Sequence, residues 1–340
     1  MTLNFSNKKT YIIAEAGVNH NGSLQNAYKL IDVAANCKAD YIKFQIVDAS
    51  VISTNAKKAK YQIDKKNKTE SQFSMIKKLE MNWFKIHPLL IKKCKKKNIR
   101  FLTSIFDTGW INEIKKLNLD YIKIPSGEIN NYPLLKSVAN LNKKVLLSTG
   151  ASKILEIKDA IDFLFKNGLK KKNLTVMHCN SAYPTPVNDI NLLAIKYLKD
   201  KTKLNIGFSD HSLGAEAAIA SVAFGVTVIE KHFTLSNSMS GPDHKISLNP
   251  KQLKSFINSI RKTEKALGKY NKFVTNSERP NRNIIRKSIY ANSIIKKGDK
   301  FTSKNIKLKR PGVGMYPIKF EKIIGKKSKK NFKLDQLIEV

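Results

Sequence analysis

The sequence predicts a (β/α)8 barrel followed by a small C-terminal domain. Short β-branched or apolar runs alternate with longer amphipathic stretches, as in parallel βα units. Nearly every run ends in a polar residue that chemistry can use. A break rich in Asn, Arg and Pro then leads into a compact strand-and-turn tail. A chain of 340 residues accommodates a barrel of about 250 residues plus such an appendage.

The expected strands are Tyr11–Ala16, Tyr41–Gln45, Arg100–Ser104, Tyr121–Ile124, Lys144–Ser148, Leu174–His178, Leu204–Phe208 and Val226–Lys231. The clearest helices between and after them are Leu24–Cys37, Met81–Lys97, Ala215–Phe224 and Asn249–Leu267, where Asn249 and Pro250 read as N-cap and first helical residue. Ser50–Ser74 is long and polar without strong periodicity, and it reads as an excursion over the barrel after the second strand. The expected division is a barrel over 1–271, a linker over 272–283 and a tail domain over 284–340.

A net charge of +37 invites a nucleic-acid reading, but the lysines are spread along the chain rather than gathered in one arm. They make a general solvating surface that helps draw in small anions, and no nucleic-acid partner is expected. Cys37, Cys94 and Cys179 show neither pairing nor metal-type spacing, which suits a reducing compartment. Met1–Thr10 lacks the apolar run of a secretory signal, and no stretch approaches the roughly 18 apolar residues of a membrane helix. A cytoplasmic location is therefore expected, with no membrane partner.

The strand ends carry the functional argument. In chain order they deliver Glu15, then Lys43 with Gln45, Thr103 with Ser104, and Lys123 followed by Ser126-Gly127-Glu128. Ser148-Thr149-Gly150, His178 with Asn180, Ser209-Asp210-His211 and Glu230-Lys231-His232 complete the set. In a barrel these positions converge on the C-terminal mouth, where sites are built. Isolated polar strand ends mean little, but eight in succession rich in Lys, His, Ser and Glu point to a functional mouth.

Those residues also carry a family likeness. Ile13-Ala14-Glu15-Ala16-Gly17-Val18-Asn19-His20-Asn21-Gly22, Lys43-Phe44-Gln45, Lys123-Ile124-Pro125-Ser126-Gly127-Glu128 and Leu147-Ser148-Thr149-Gly150 come first. Tyr183-Pro184-Thr185-Pro186, Phe208-Ser209-Asp210-His211, Glu230-Lys231-His232-Phe233-Thr234 and Gly241-Pro242-Asp243-His244-Lys245 follow. In that order the chain resembles the bacterial sialic acid synthase family, which includes the neuraminate, legionaminate and pseudaminate synthases. The tail resembles the antifreeze-like (SAF) domain that ends these enzymes, with Lys309-Arg310-Pro311-Gly312 as its marker.

The resemblance implies condensation of phosphoenolpyruvate with an N-acetylated aldehyde sugar. N-acetylmannosamine is the first expectation, and 2,4-diacetamido-2,4,6-trideoxymannose the alternative. It implies that Lys43, Ser104, Lys123, Ser126, Ser148, Ser181 and Ser209 cradle phosphoenolpyruvate, whose carboxylate and phosphate need cationic and hydroxyl donors. Ser104 stands where close relatives more often carry Thr. Glu15, Glu128, Lys123 and Asp243 are the implied catalytic groups, and Gln45, Tyr183, Asp243 and Arg310 the sugar contacts. His211 and His232 are the implied ligands of a divalent metal, Mn²⁺ or Mg²⁺. A domain-swapped homodimer is also implied. His20 and His178 fit either direct contact or support, and His87, before Pro88 on a polar helix, has no expected role. Gly17-Val18-Asn19 fits neuraminate or legionaminate synthases better than pseudaminate synthases. The rival chemistry is a Schiff-base aldolase or lyase using Lys43 or Lys123. A polyanion- or carbohydrate-binding protein built on the basic surface is the non-enzymatic rival.

Overall fold

The computed structural model describes residues 9–63 and 69–339. Most of the Met1–Thr10 segment, part of the Ser50–Ser74 excursion and the final Val340 therefore lie outside the described residues. Two compact units emerge, Met1–Lys269 and Tyr270–Val340.

The first unit is a closed parallel barrel of eight strands in sequential order. They are β1 (Tyr11–Gly17), β2 (Tyr41–Gln45), β3 (Arg100–Ser104), β4 (Tyr121–Ile124), β5 (Lys144–Ser148), β6 (Leu174–Cys179), β7 (Asn205–Asp210) and β8 (Val228–His232). The last two begin one or two residues later than the sequence predicts and run further, so Asp210 and His232 belong to the strands themselves.

The helices clothe the barrel: α1 (Leu24–Asn36), α2 (Gln72–Leu79), α3 (Trp83–Lys96), α4 (Ile111–Lys116), α5 (Tyr132–Ala139), α6 (Ile154–Lys166), α7 (Leu193–Thr202), α8 (Glu216–Ala223) and α9 (Pro250–Leu267). In α1, Ser23 caps the first turn and Ala27, Leu30, Ile31 and Ala34 form the buried stripe. In α9, Asn249 and Gln252 make a reciprocal capping box, and Leu253, Phe256, Ile257 and Ile260 are buried. Each such large apolar side chain contributes about 1.5–3 kcal/mol by leaving water.

Two expectations change here. The polar excursion is not structureless, because α2 begins within it, capped by Ser71 and anchored by buried Met75 and Leu79 one turn apart. His87 is not on a polar face. It shares the buried stripe of α3 with Trp83, Leu90 and Cys94, spaced four, three and four residues apart, and neither ring nitrogen has a hydrogen-bond partner.

Strand alternation sorts the barrel interior into layers. Ile13, Tyr41, Leu102, Leu146, Met177 and Val228 close the bottom as an apolar plug, with Tyr121 against it. Two residues further along, the same inward face becomes polar on every strand but β6, which ends in Cys179, at Glu15, Lys43, Ser104, Lys123, Ser148, Ser209 and Glu230, all buried. Outward residues such as Ile12, Ile42 and Phe44 join the helices in the main core.

The second unit contains α10 (Arg279–Ile285), the antiparallel pair β9 (Ser288–Ala291) and β10 (Ile306–Lys309), and α11 (Phe320–Ile323). It has its own core of Ile289, Ile295, Phe301, Ile306, Ile323, Phe332 and Ile338. The expected linker 272–283 therefore contains most of a short helix rather than only irregular chain. Arg279 and Pro280 open that helix, so the proline read as a breaker serves as a start.

Candidate active site

Above the apolar plug the polar layer forms one charged network. Glu230, on β8, lies at its centre. Both of its carboxylate oxygens sit 3.0 Å from Lys123 Nζ, and Ser209 donates its hydroxyl to Oε1 at 2.9 Å. Lys43 Nζ donates to Ser104 Oγ at 2.8 Å, lies 3.0 Å from Glu15 Oε1 and 3.6 Å from Glu230 Oε2. Gln45 donates to the same oxygen of Glu15 at 2.8 Å, while Glu15 Oε2 is buried without a partner.

Such charges are tolerable only in company. Burial pushes the Glu230 carboxyl up, yet Lys123 and Lys43 outweigh it and hold the group well below the usual carboxylate range. Burial alone would pull Lys43 down, but Glu15 and Glu230 raise it above the ordinary lysine value. Glu15 goes the other way, since burial and the neighbouring Glu230 raise it against the pull of Lys43. Glu230 stands among the strand-end residues of the sequence without an expected role, and its two-residue offset from His232 on β8 puts it on the inward face. Lys123 pairs with Glu230, so Glu128 is not its partner. Glu128 is half-buried, accepts from Asn131 Nδ2 at 2.8 Å, and has its pKa raised by burial.

A further corner of the mouth brings Ser126, Ser181 and Cys179 close to Gly150. Ser126 Oγ accepts from Gly150 N at 2.9 Å. A Cβ at position 150 would stand 2.4 Å from Ser181 Oγ and 2.9 Å from Ser126 Oγ, so only glycine lets these groups converge.

The two histidines meet over the charged network, with ring centroids 5.6 Å apart. The carbonyl of Asn180 faces His211 Nδ1 at 2.5 Å, which makes that nitrogen the N–H donor and leaves Nε2 its lone pair. Nε2 lies 3.3 Å from Ser209 Oγ. His232 is buried, and its Nδ1 has no hydrogen-bond partner. Protein packed around His211 lowers its pKa to about 4, and burial, reinforced by His211, lowers His232 well below the ordinary value. Both rings are thus neutral at pH 7, the form a metal requires. Among the described residues no group of three or more His, Cys, Asp or Glu is placed to hold an ion, and an ion at this mouth would rest on these two rings, its remaining positions left to water or substrate.

Asp243 approaches from the segment after β8, its Oδ2 3.8 Å from His232 Nδ1. Gly17, beside Asp243, Glu15 and His232, has φ +51°, a left-handed backbone conformation that favours glycine. Burial, with the Glu15 charge adding to it, pushes the Asp243 pKa up to about 7. Its linkage has a definite sign. Between the unfolded value near 4 and 7 the folded protein holds a proton that the unfolded chain has lost, so stability falls as pH rises through that window. Asp243 is therefore expected to contribute a downward slope to the melting temperature of metal-free protein from pH 4.5 to 7.5, against the upward slope that the depressed His211 and His232 supply, and Asp243→Asn to remove that downward part. An unchanged slope in the variant would remove Asp243 as its source.

An aromatic stack closes one side. Tyr183 stacks on His211 with centroids 4.1 Å apart and meets His232 edge-on at 6.0 Å. Tyr61, delivered by a short 3-10 turn over Lys60–Gln62, stacks on Tyr183 at 4.6 Å. Tyr61 was not a candidate, because it lies in the stretch whose pattern predicts no element. His20 packs against Trp83 and Phe44, with Nδ1 accepting from Gly22 N, and His178 bonds through Nε2 to the Ile190 carbonyl; both support the scaffold outside the chamber. Arg310 lies directly after β10 in the second unit. Cys37, Cys94 and Cys179 are buried free thiols. No helix among the described residues is long and apolar enough to cross a membrane.

Buried lysines, hydroxyl groups and two neutral imidazoles converge at the carboxyl mouth of a (β/α)8 barrel, the place where barrel enzymes carry out their chemistry. The chain belongs to the NeuB family, whose model matches residues 30–272, and the SAF domain model matches residues 286–339. It is 49% identical over 332 residues to the N,N'-diacetyllegionaminic acid synthase of Campylobacter jejuni, covering 97% of this chain and 99% of that one. A protein of the same name from Legionella pneumophila is 37% identical, covering 96% and 92%. Among solved structures, the N-acetylneuraminic acid synthetase of Leptospira borgpetersenii superposes with a TM-score of 0.71 at 34% identity, over 81% of this chain and 90% of that one. Like these relatives, the chain is an enzyme, a synthase of the sialic, legionaminic and pseudaminic acid group.

Proposed function

We propose that this enzyme condenses phosphoenolpyruvate with 2,4-diacetamido-2,4,6-trideoxymannose to form N,N'-diacetyllegionaminate and inorganic phosphate. The observation that carries the reaction class is the charged layer of Lys43, Lys123, Ser104 and Ser209 lying directly under two neutral imidazoles. The near-full-length likeness to two legionaminic acid synthases favours the diacetamido sugar over N-acetylmannosamine.

On this reading Lys43 and Lys123 bind the anionic groups of phosphoenolpyruvate, and Ser104, Ser126, Ser148, Ser181 and Ser209 complete the cradle. His211 and His232 hold a divalent cation, Mn²⁺ or Mg²⁺, which when bound supplies Lewis acidity toward a carbonyl oxygen. Gln45, Tyr183 and Asp243 orient the sugar. A bond forms between C3 of phosphoenolpyruvate and the aldehyde carbon as the C2–C3 and aldehyde π bonds break and the aldehyde oxygen takes up a proton. Water adds at C2, giving up its protons, and the bond from C2 to the phosphate oxygen breaks to release phosphate. Glu15 and Glu128 flank the charge that develops at C2, and Glu128, with its raised pKa, handles the proton of the incoming water. By the family resemblance, Arg310 serves the sugar site of a second copy in a domain-swapped homodimer.

The Schiff-base rival needs a free amine. Lys43 is held protonated between two carboxylates and Lys123 sits against both oxygens of Glu230, which disfavours that role for either.

The test is phosphate release from phosphoenolpyruvate with Mn²⁺ and each candidate sugar. The diacetamido sugar is expected to be turned over at least tenfold more efficiently than N-acetylmannosamine. The reverse order overturns the sugar assignment, and no release with any sugar overturns the reaction. Tyr61→Ala is expected to raise KM for the sugar about two- to tenfold, the worth of one aromatic contact, with KM for phosphoenolpyruvate unchanged. Equal rises in both would show that Tyr61 merely supports the fold.

A further inference from the structure

We infer that the buried Asp210–Lys231 pair is a positioning device that sets the spacing of His211 and His232 from behind the barrel wall. The inference rests on the metal-binding reading of those two histidines.

Asp210 immediately precedes His211, and Lys231 immediately precedes His232. The two are register partners across β7 and β8. Alternation along the strands sends Ser209 and Glu230 inward, where they bond to each other, and turns Asp210 and Lys231 outward. There both are about 1% exposed. Lys231 Nζ lies 2.9 Å from Asp210 Oδ2 and also donates to the Ser212 carbonyl at 2.5 Å. Asp210 Oδ1 accepts from Ser212 N at 2.9 Å and from Ser212 Oγ at 2.6 Å.

These four bonds enclose one residue. Asp210 and Ser212 fold the chain into a tight turn whose middle member is His211, and Lys231 fastens both ends of that turn. Its own backbone is one peptide away from His232. Each imidazole therefore hangs from a backbone position fixed by the same outward ion pair. Asp210 and Lys231 face away from the chamber, so the pair touches neither metal nor substrate. A charged pair is costly to bury against helices that apolar residues would cover. Its geometry gives it a use, since a directional, charge-assisted tie restrains the separation of two strand ends more tightly than apolar packing. Partners standing behind metal ligands typically account for about 10- to 100-fold in metal affinity.

The test compares the parent with Asp210→Asn/Lys231→Gln, which replaces the ion pair by a neutral one able to keep some of the hydrogen bonding, and with Lys231→Arg, which keeps the charge. Free Mn²⁺ is read by its electron paramagnetic resonance signal in protein without substrate. Alongside it, the binding of phosphoenolpyruvate to metal-free protein and the melting temperature are recorded. The neutral pair is expected to bind Mn²⁺ about 10- to 100-fold more weakly. Phosphoenolpyruvate binding is expected to stay within about twofold of the parent, because the inward lysines are untouched, and Lys231→Arg to recover much of the lost affinity. A lowered melting temperature with Mn²⁺ affinity within about twofold of the parent would overturn the inference, leaving the pair a structural tie only. If the neutral variant does not fold, Asp210→Asn alone carries the test: Mn²⁺ affinity within about twofold of the parent overturns the inference, and a weaker one supports it. If the parent itself binds no Mn²⁺, the metal reading fails first, and the inference with it.

Discussion

Glu230→Gln is expected to lower the unfolding free energy at pH 7 by about 3 kcal/mol or more, the loss typical of breaking a buried ion pair from one side. Lys123 has its salt bridge with this carboxylate, at 3.0 Å to both oxygens, and glutamine leaves that ammonium buried without a counter-charge. Lys43 retains Glu15, so the defect centres on Lys123. The pH dependence adds a second signature. Because the lysines depress the Glu230 pKa, its contribution is present above the unfolded value of roughly 4.3 and is lost only as pH falls through the lower folded value. The gap between parent and variant is therefore expected to be constant from pH 8 to about 5 and to close in stronger acid. Urea denaturation at several pH values measures it. Equal midpoints at pH 7 would show that the network does not depend on this carboxylate.

Removing either imidazole is expected to abolish turnover without unfolding the barrel. His211→Ala and His232→Ala should each release phosphate at least about 10³-fold more slowly at saturating Mn²⁺, since Lewis-acid assistance is worth several kcal/mol of barrier. The parent treated with EDTA should fall to the same level and recover with Mn²⁺, and the variants should not recover. Their metal-free melting temperatures should fall by the packing lost with each ring, more for His211→Ala, which also loses the Asn180 hydrogen bond and the Tyr183 stack, while a folded barrel is kept. Both rings are neutral, and His232 Nδ1 has no hydrogen bond to lose. Activity that survives both EDTA and the substitutions would remove the metal from the reaction.

Much of this site was legible before any coordinates. Glu15, Lys43, Ser104, Lys123, Ser148 and Ser209 were readable because strand alternation and barrel closure force the residues near each strand's carboxyl end into one mouth. Glu230 was readable in principle from the same parity. It stands in the strand-end set without a role, because the family resemblance implies one only for His232 on that strand. Tyr61 carried no such signal: a 3-10 turn has no periodicity, and its stacking on Tyr183 is a contact over more than a hundred residues of chain. His87 misled for another reason. Its neighbours on α3 include several lysines, and only the four-three-four spacing with Trp83, Leu90 and Cys94 reveals a buried stripe.

The chain alone determined the order of the barrel elements, the inward polar residues on most strands and the separate tail, because these follow from periodicities of two and 3.6 residues that are local to each segment. Only the folded molecule decided which charges pair: that Lys123 takes Glu230 rather than Glu128, that Asp243 comes to His232, and that Asp210 and Lys231 meet behind the wall. Pairing depends on distances of a few ångströms between residues far apart in the chain. In a buried, weakly screening interior those distances determine which charges each carboxylate and lysine must answer.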